Sequence, residues 1–169
     1  SAASDVYKRQ STYNKDIIPN SADVKVGIVV SEWNDEITSN LLRGAKQALL
    51  DNGVMEENII IEHVPGAFEL PLGSQYLLEY TDVEGVVAIG VVIQGETKHF
   101  DFVCSGTTQG IMDANLKFNK PVAFCVLTDN HIQQSIDRSG GKHGNKGIEC
   151  AVACLKMIHL KRKLNHRYK

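Results

Sequence analysis

Thr97 and His99 stand two residues apart, directly after the apolar run Gly85-Val86-Val87-Ala88-Ile89-Gly90-Val91-Val92-Ile93 and the polar break Gln94-Gly95-Glu96. The run is short, β-branched and bounded by glycine, so it reads as a strand buried on both faces. The residues after the run read as a helix start, with Gly95 permitting a tight turn and Thr97 offering a hydroxyl where helical N–H groups lack partners. Such a turn binds anions, because free N–H groups and the helix dipole both favour negative charge. A histidine beside it titrates near neutral pH. The pair therefore suggests proton transfer on a phosphorylated small molecule. A plain helix cap followed by a half-exposed histidine fits this window equally well.

Other residues add to this chemistry. Trp33, the sole tryptophan, follows an apolar strand and could stack on a flat heterocycle or plug the sheet end. Glu69 falls near a helix start, where it could accept from hydroxyls or simply answer the dipole. Arg138 and Lys146, with Lys142 between them, flank a glycine-rich stretch and could hold phosphate, or be a solvated basic loop. There is no Walker pattern, no Gly-x-Gly-x-x-Gly after a strand, and no Ser or Cys nucleophile with an evident base. Spacing alone reaches an acid/base site for a small anion.

The elements that must position these residues alternate. A strand over Val24–Ser31 leads to a helix capped by Asn34 or Asp35 and running to about Asn52, and a second strand covers Ile59–His63. Val64-Pro65-Gly66 turns into a helix over Ala67–Tyr80 with Pro71 near its start. After the strand Gly85–Ile93, a helix from His99 or Asp101 runs to Phe118, stopped by Asn119-Lys120-Pro121. Val122–Leu127 is the fourth strand, Thr128-Asp129-Asn130 caps a short helix ending at Arg138, Ser139–Asn145 is loop, and Gly147–Lys163 is the last helix. Such units require a parallel sheet, giving a three-layer α/β/α sandwich of flavodoxin-like type with four parallel strands and flanking helices. In such sheets ligands bind beyond the carboxyl ends of the strands.

The chain has 169 residues, 43% hydrophobic, with net charge −2. That suits one domain and argues against disorder and nucleic-acid binding. No apolar stretch suits a membrane span or a secretory signal, so a cytoplasmic location is expected. Cys104, Cys125, Cys150 and Cys154 read as small hydrophobes in a reducing compartment; Cys150 and Cys154 are spaced i, i+4, yet no further ligands stand at metal-site spacing, and no metal is expected. Residues 1–22 are expected to be an N-terminal arm and residues 23–169 a single domain. Within the arm, Asp5-Val6-Tyr7-Lys8-Arg9-Gln10 reads like a translated transposase adapter from fragment sequencing and is set aside.

Five separated motifs, in order, resemble the lumazine synthase (6,7-dimethyl-8-ribityllumazine synthase) family. They are Val26-Gly27-Ile28-Val29 with Trp33-Asn34, Val64-Pro65-Gly66-Ala67-Phe68-Glu69-Leu70-Pro71, Gly90 through Asp101, Pro121-Val122-Ala123-Phe124, and Arg138 through Gly147. The resemblance spans about Val24 to Leu160. It implies condensation of 5-amino-6-(ribitylamino)uracil with 3,4-dihydroxy-2-butanone 4-phosphate, the penultimate step of riboflavin biosynthesis, without a cofactor. Carried over by position, it implies that Trp33 stacks on the pyrimidine, that Ala67 and Glu69 line the ribityl chain, and that Phe68 also binds substrate. Val92 and Ile93 would frame the heterocycle, Glu96 and Thr97 would sit near phosphate, and His99 would be the general acid/base. It also implies a homo-oligomer whose site lies between subunits, with Phe124, Arg138 and Lys146 from the neighbour, Arg138 on phosphate and Lys146 near the uracil. Gln94 departs from the Lys or Arg usual there, and Thr128-Asp129-Asn130-His131 is richer in histidine than usual. The short Gly140–Asn145 turn resembles shell-forming members, implying pentamers assembled into an icosahedral shell. Two readings compete: a non-catalytic flavin- or lumazine-binding paralogue, and an anion-binding signalling module, for which Asp129 alone is too little.

Overall fold

In the computed structural model, four parallel strands lie in the order β2-β1-β3-β4. They are β1 (Val26–Ser31), β2 (Ile59–Val64), β3 (Gly85–Ile93) and β4 (Val122–Asp129). The structure describes residues 18–169; the adapter-like stretch at residues 5–10 lies outside them. Helices α1 (Asp35–Asp51), α2 (Leu70–Tyr80), α3 (His99–Phe118), α4 (Ile132–Arg138) and α5 (Lys146–Tyr168) complete the chain.

The pleat decides which helix covers which face, because successive side chains of a strand point to opposite sides. Ile28 and Val30 of β1 and Val87, Ile89 and Val91 of β3 join Leu41 and Leu49 of α1 and Leu155 and Ile158 of α5 in one core. Val29, Val86 and Ala88 turn the other way, against Leu70, Leu77 and Leu78 of α2 and Ile111 and Ala114 of α3. Every residue of β1 is buried, as is β3 through Val91. A strand covered on both faces has no polar side, which is why these read as unbroken apolar runs. The three-layer α/β/α, flavodoxin-like sandwich expected from sequence is the fold.

Several local expectations are corrected. Ser139–Asn145 is not plain loop: Ser139–Gly141 (β5) and Gly144–Asn145 (β6) pair antiparallel. Gly140 and Gly144, at φ +115° and +81°, supply the conformations that the tight reversal needs. Asn34 occupies the first cap of α1, but with left-handed backbone (φ 60°) and no side-chain bond. The cap of α4 is His131, not the three residues before it; the Gln134 side chain reaches back to the N–H groups of Asn130 (2.8 Å) and His131 (3.3 Å). Asp129 instead ends β4 and accepts from the Ser135 hydroxyl at 2.8 Å. Gly95 is not required by its turn, since it lacks a positive φ and a Cβ there would meet nothing within 4 Å. The last helix runs five residues beyond Lys163, to Tyr168, because the basic tail holds no proline or glycine to stop it.

Residues 18–22 lie against the sandwich. Ile18 and Ser21 are buried, and the Ser21 N–H donates to Asn52 O at 3.3 Å. The Ser21 hydroxyl donates to Pro19 O (3.0 Å) and lies 2.8 Å from His159 Nε2, so it accepts from that ring N–H. Arg162 of α5 fastens the same region, with Glu84 bonded at 2.8 and 2.7 Å and Asp23 at 3.1 and 3.3 Å.

Candidate active site

The register brings the carboxyl ends of all four strands to one edge of the sheet: Ser31 pairs with Val64, Val30 with Ile89, and Ile93 with Asp129. Beyond that edge the segments after β1 and β2 are zipped together. Glu32 N–H donates to Val64 O (2.8 Å) and Trp33 N–H to Pro65 O (3.2 Å). This holds Trp33 at the end of the sheet, 65% exposed, with its six-membered ring against Gly66. One side of the indole therefore has a protein support and the rest faces solvent, an arrangement suited to a shelf for a flat ring.

Ala67–Glu69 forms a single 3₁₀ turn leading into α2, with Pro71 in its first turn, where a missing N–H costs nothing. Glu69 curls back so that Oε2 accepts from Gly66 N–H at 2.9 Å. That bond fixes the carboxylate at the mouth of the turn. Ala67 is buried beneath it, and Phe68 projects outward, 61% exposed. Val92 and Ile93, the only partly buried residues of β3, end that strand, Val92 on the face of Ala67 and Ile93 on the opposite face.

The third segment is Gln94–His99. Gln94 N–H donates to Asp129 O (2.9 Å), extending the ladder by one bond, and the chain then turns into α3. Glu96, Thr97 and His99 are exposed there, and Thr97 Oγ1 accepts weakly from His99 N–H at 3.4 Å. In the first turn of this 20-residue helix, the N–H groups of Asp101 and Phe102 both donate to Lys98 O, at 3.0 and 3.3 Å, so the helix starts beside the Glu96–Thr97 turn. Nine of the expected site residues, Trp33, Ala67, Phe68, Glu69, Val92, Ile93, Glu96, Thr97 and His99, are gathered on this edge.

Phe124 is not among them. Phe124 pairs with Ala88, four residues short of Val92, so it lies about 13 Å back along the sheet at ~3.3 Å per residue. It also sits on the outer strand, two strands (about 10 Å) from β1. There it lines an open groove of about 440 Å³ with Cys104, Ser105, Thr108, Gln109 and Thr128. Arg138 ends α4, and Lys146 starts α5 between Asn145, whose side chain reaches Asn40 O on α1 at 2.9 Å, and Gly147. Cys150, one turn after Lys146, donates its thiol to Phe124 O at 3.5 Å, and Ser139, next to Arg138, pairs with Asn145, next to Lys146. Arg138 Nη1 donates to Gln134 O (3.1 Å), folding the guanidinium along its own helix. Glu149, 2.8 Å from Lys146 Nζ, raises the lysine pKa and keeps the ammonium charged.

The cysteines divide by burial. Cys104 is half-buried, while Cys125, Cys150 and Cys154 are interior; burial pushes the Cys154 thiol up to about 12. Among the described residues, no three His, Cys, Asp or Glu side chains are grouped to hold a metal ion. No helix of the described residues is long and apolar enough to cross a membrane.

The sequence profile of the 6,7-dimethyl-8-ribityllumazine synthase family matches residues 23–162, the whole of the sandwich up to the last turns of α5. The chain belongs to the lumazine synthase family. It is 57% identical over 154 residues to the 6,7-dimethyl-8-ribityllumazine synthase of Flavobacterium johnsoniae, covering 91% of this chain and 81% of that one. The enzyme of the same name from Christiangramia forsetii is 56% identical, over 90% and 91% of the two chains. That of Porphyromonas gingivalis is 49% identical, over 92% and 97%. Lumazine synthases are transferases of riboflavin biosynthesis, and this chain carries that activity.

Two polar residues under the lumazine synthase site gave no signal as chemistry. Ser31 is 1% exposed beside Gly90 and Ala67, and its hydroxyl has no partner among the described residues. Thr107, fully buried, donates its hydroxyl to Ala67 O at 3.3 Å. A trace of Thr107 is legible in retrospect, since it interrupts the buried stripe Val103, Ile111 and Ala114 of α3 with a polar side chain.

Proposed function

We propose that this edge binds 5-amino-6-(ribitylamino)uracil and 3,4-dihydroxy-2-butanone 4-phosphate side by side and condenses them to 6,7-dimethyl-8-ribityllumazine. The observation that carries this reading is the meeting of Trp33, the Glu69 turn and the start of α3 at one end of the sheet. Trp33 stacks on the pyrimidine, with Val92 and Ile93 framing it. Glu69, its Oε2 held by Gly66 N–H, accepts from ribityl hydroxyls beside Ala67 and Phe68. The phosphate sits at the open N–H groups near Glu96 and Thr97.

The amine then adds to the ketone to give an imine, phosphate leaves by elimination, and the ring closes with loss of water. None of these steps asks for a covalent enzyme nucleophile; they ask for positioning and proton transfer. His99 shuttles the protons. Arg138 offsets charge growing on the departing phosphate, and Lys146 approaches the uracil carbonyl side.

Phe124 stands away from the other nine residues, and with Arg138 and Lys146 it completes the site of the adjacent subunit in a homo-oligomer. The unit is a pentamer, and the short β5–β6 turn leaves room for pentamers to close into an icosahedral shell. Four unpaired thiols suit a cytoplasmic setting. No cofactor takes part. The domain spans residues 23–169; of the arm expected before it, residues 1–17 lie outside the described residues.

Mixing the purified protein with both substrates, and following lumazine fluorescence with phosphate release, tests the reaction. Matched appearance of both above the uncatalysed rate supports it. A pentameric protein with no rate enhancement points to a binding paralogue.

A further inference from the structure

Thr107 and Thr108 are consecutive on α3 and use their hydroxyls differently. Thr108 Oγ1 donates to Cys104 O, four residues earlier in its own helix, at 2.6 Å, the usual outlet for a helical threonine. Thr107 instead donates across the structure to Ala67 O, 40 residues away in sequence. The Ala67 carbonyl already accepts from Leu70 N–H inside its turn. The second bond therefore adds nothing to local closure. It joins the turn to α3.

The surrounding contacts are shaped for the same approach. A Cβ on Gly106 would stand 2.9 Å from Phe68 Cε2, and one on Gly110 would stand 2.7 Å from Pro71. α3 thus comes against the turn on its two bare positions, with Thr107 between them. An apolar valine would fill the same volume without a buried hydroxyl, so packing alone does not call for threonine. His99 begins the same helix eight residues earlier, about 12 Å along its axis at 1.5 Å per residue.

We propose that Thr107 is a positioning residue: its hydroxyl fixes the Ala67–Glu69 turn to the helix that starts at His99, and so sets where Glu69 meets the ribityl chain. This rests on the reading of Glu69 as the polyol acceptor. Substrate does not touch Thr107, so its loss registers in binding of one substrate rather than in the chemical step.

The test is steady-state kinetics on the full chain for Thr107→Val, Thr107→Ser and Glu69→Gln, varying each substrate in turn, with thermal melts alongside. Thr107→Val raises KM for the ribityl substrate roughly tenfold, equivalent to about 1.4 kcal/mol, and leaves KM for the butanone phosphate within twofold. Thr107→Ser, which keeps the hydroxyl and loses the methyl, stays near the parent; a packing role predicts the reverse order. If Thr107→Val does not fold, Thr107→Ala removes the same hydroxyl with less bulk, and the comparison is made with that variant. Equal damage from Val and Ser, or a rise in both KM values, overturns the proposal. Glu69→Gln impaired with Thr107→Val normal overturns it alone. Glu69→Gln without effect on the ribityl KM overturns the polyol reading and the proposal together.

Discussion

The six-membered ring of Trp33 rests on Gly66 so closely that a Cβ there would stand 2.4 Å from Cζ3 and 2.5 Å from Cε3. Gly66 has an extended backbone, φ −139° and ψ −179°, which an alanine can also adopt. The constraint is therefore contact with the indole and not backbone strain. Gly66→Ala pushes the ring off its support while leaving the core intact. The expected result is a KM for the ribityl substrate raised about tenfold, or about 1.4 kcal/mol, with little change in melting temperature. As Trp33 is the sole tryptophan, its fluorescence reports the displacement directly. An unchanged spectrum and unchanged KM contradict the stacking role.

Arg138 and His99 are expected to differ in weight. Phosphate expulsion builds charge that a fixed guanidinium offsets, and removing one such group costs about 100-fold in kcat. Protons can instead be carried by water at an exposed position such as His99, so its loss is held to about tenfold, the low side of acid/base effects. Arg138→Ala should then slow turnover more than His99→Ala. Rates for both variants, measured at saturating substrate, decide the order, and the opposite ranking would falsify this account of the barrier.

Asn145 works at both ends of its side chain. Its Oδ1 accepts from Gly147 N–H (2.8 Å) at the start of α5, and its Nδ2 donates to Asn40 O on α1 (2.9 Å). Asn145→Ala gives up a helix cap and a tether, about 1–2 kcal/mol. In a chain of this size that lowers the melting temperature by roughly 2–8 °C. Because Lys146 is the next residue, kcat/KM should fall as well. A melting curve superimposable on the parent's argues against the tether.

His159 predicts a pH dependence. Burial, and then the nearby Arg162, lower its pKa below the ordinary histidine value. The folded chain thus binds this proton less readily than the unfolded chain, so stability rises with pH across that interval. The contribution is complete above the unfolded value, near 6.5, and fades as pH falls through it towards the folded value. Urea midpoints at pH 7.5 and 5.5 should differ less in His159→Gln than in the parent; equal differences would show that another group sets the slope.

Much of the fold was legible in the residues. The runs in β1 and β3 are apolar because both faces are covered, and a two-sided burial leaves an unmistakable pattern. The site residues after β1, β2 and β3 follow from topology once the sheet is known to be parallel. The hairpin at Ser139–Asn145 was hidden because three-residue and two-residue strands leave no period to read. Thr107 was hidden for a different reason: a donor that acts through a carbonyl 40 residues away has no local spacing to betray it. The distance of Phe124 from the other site residues emerged only from the register with Ala88.

That distance has a genetic consequence. If each chain lends Phe124, Arg138 and Lys146 to a neighbour, a defect at Trp33 and a defect at Arg138 spoil different halves of different catalytic units. Coexpressing two inactive alleles, Trp33→Ala and Arg138→Ala, would rebuild some intact units from sound halves and relieve riboflavin auxotrophy that neither allele relieves alone. Dominance would obey the same rule, with one damaged allele silencing sites that its own sequence only half encodes.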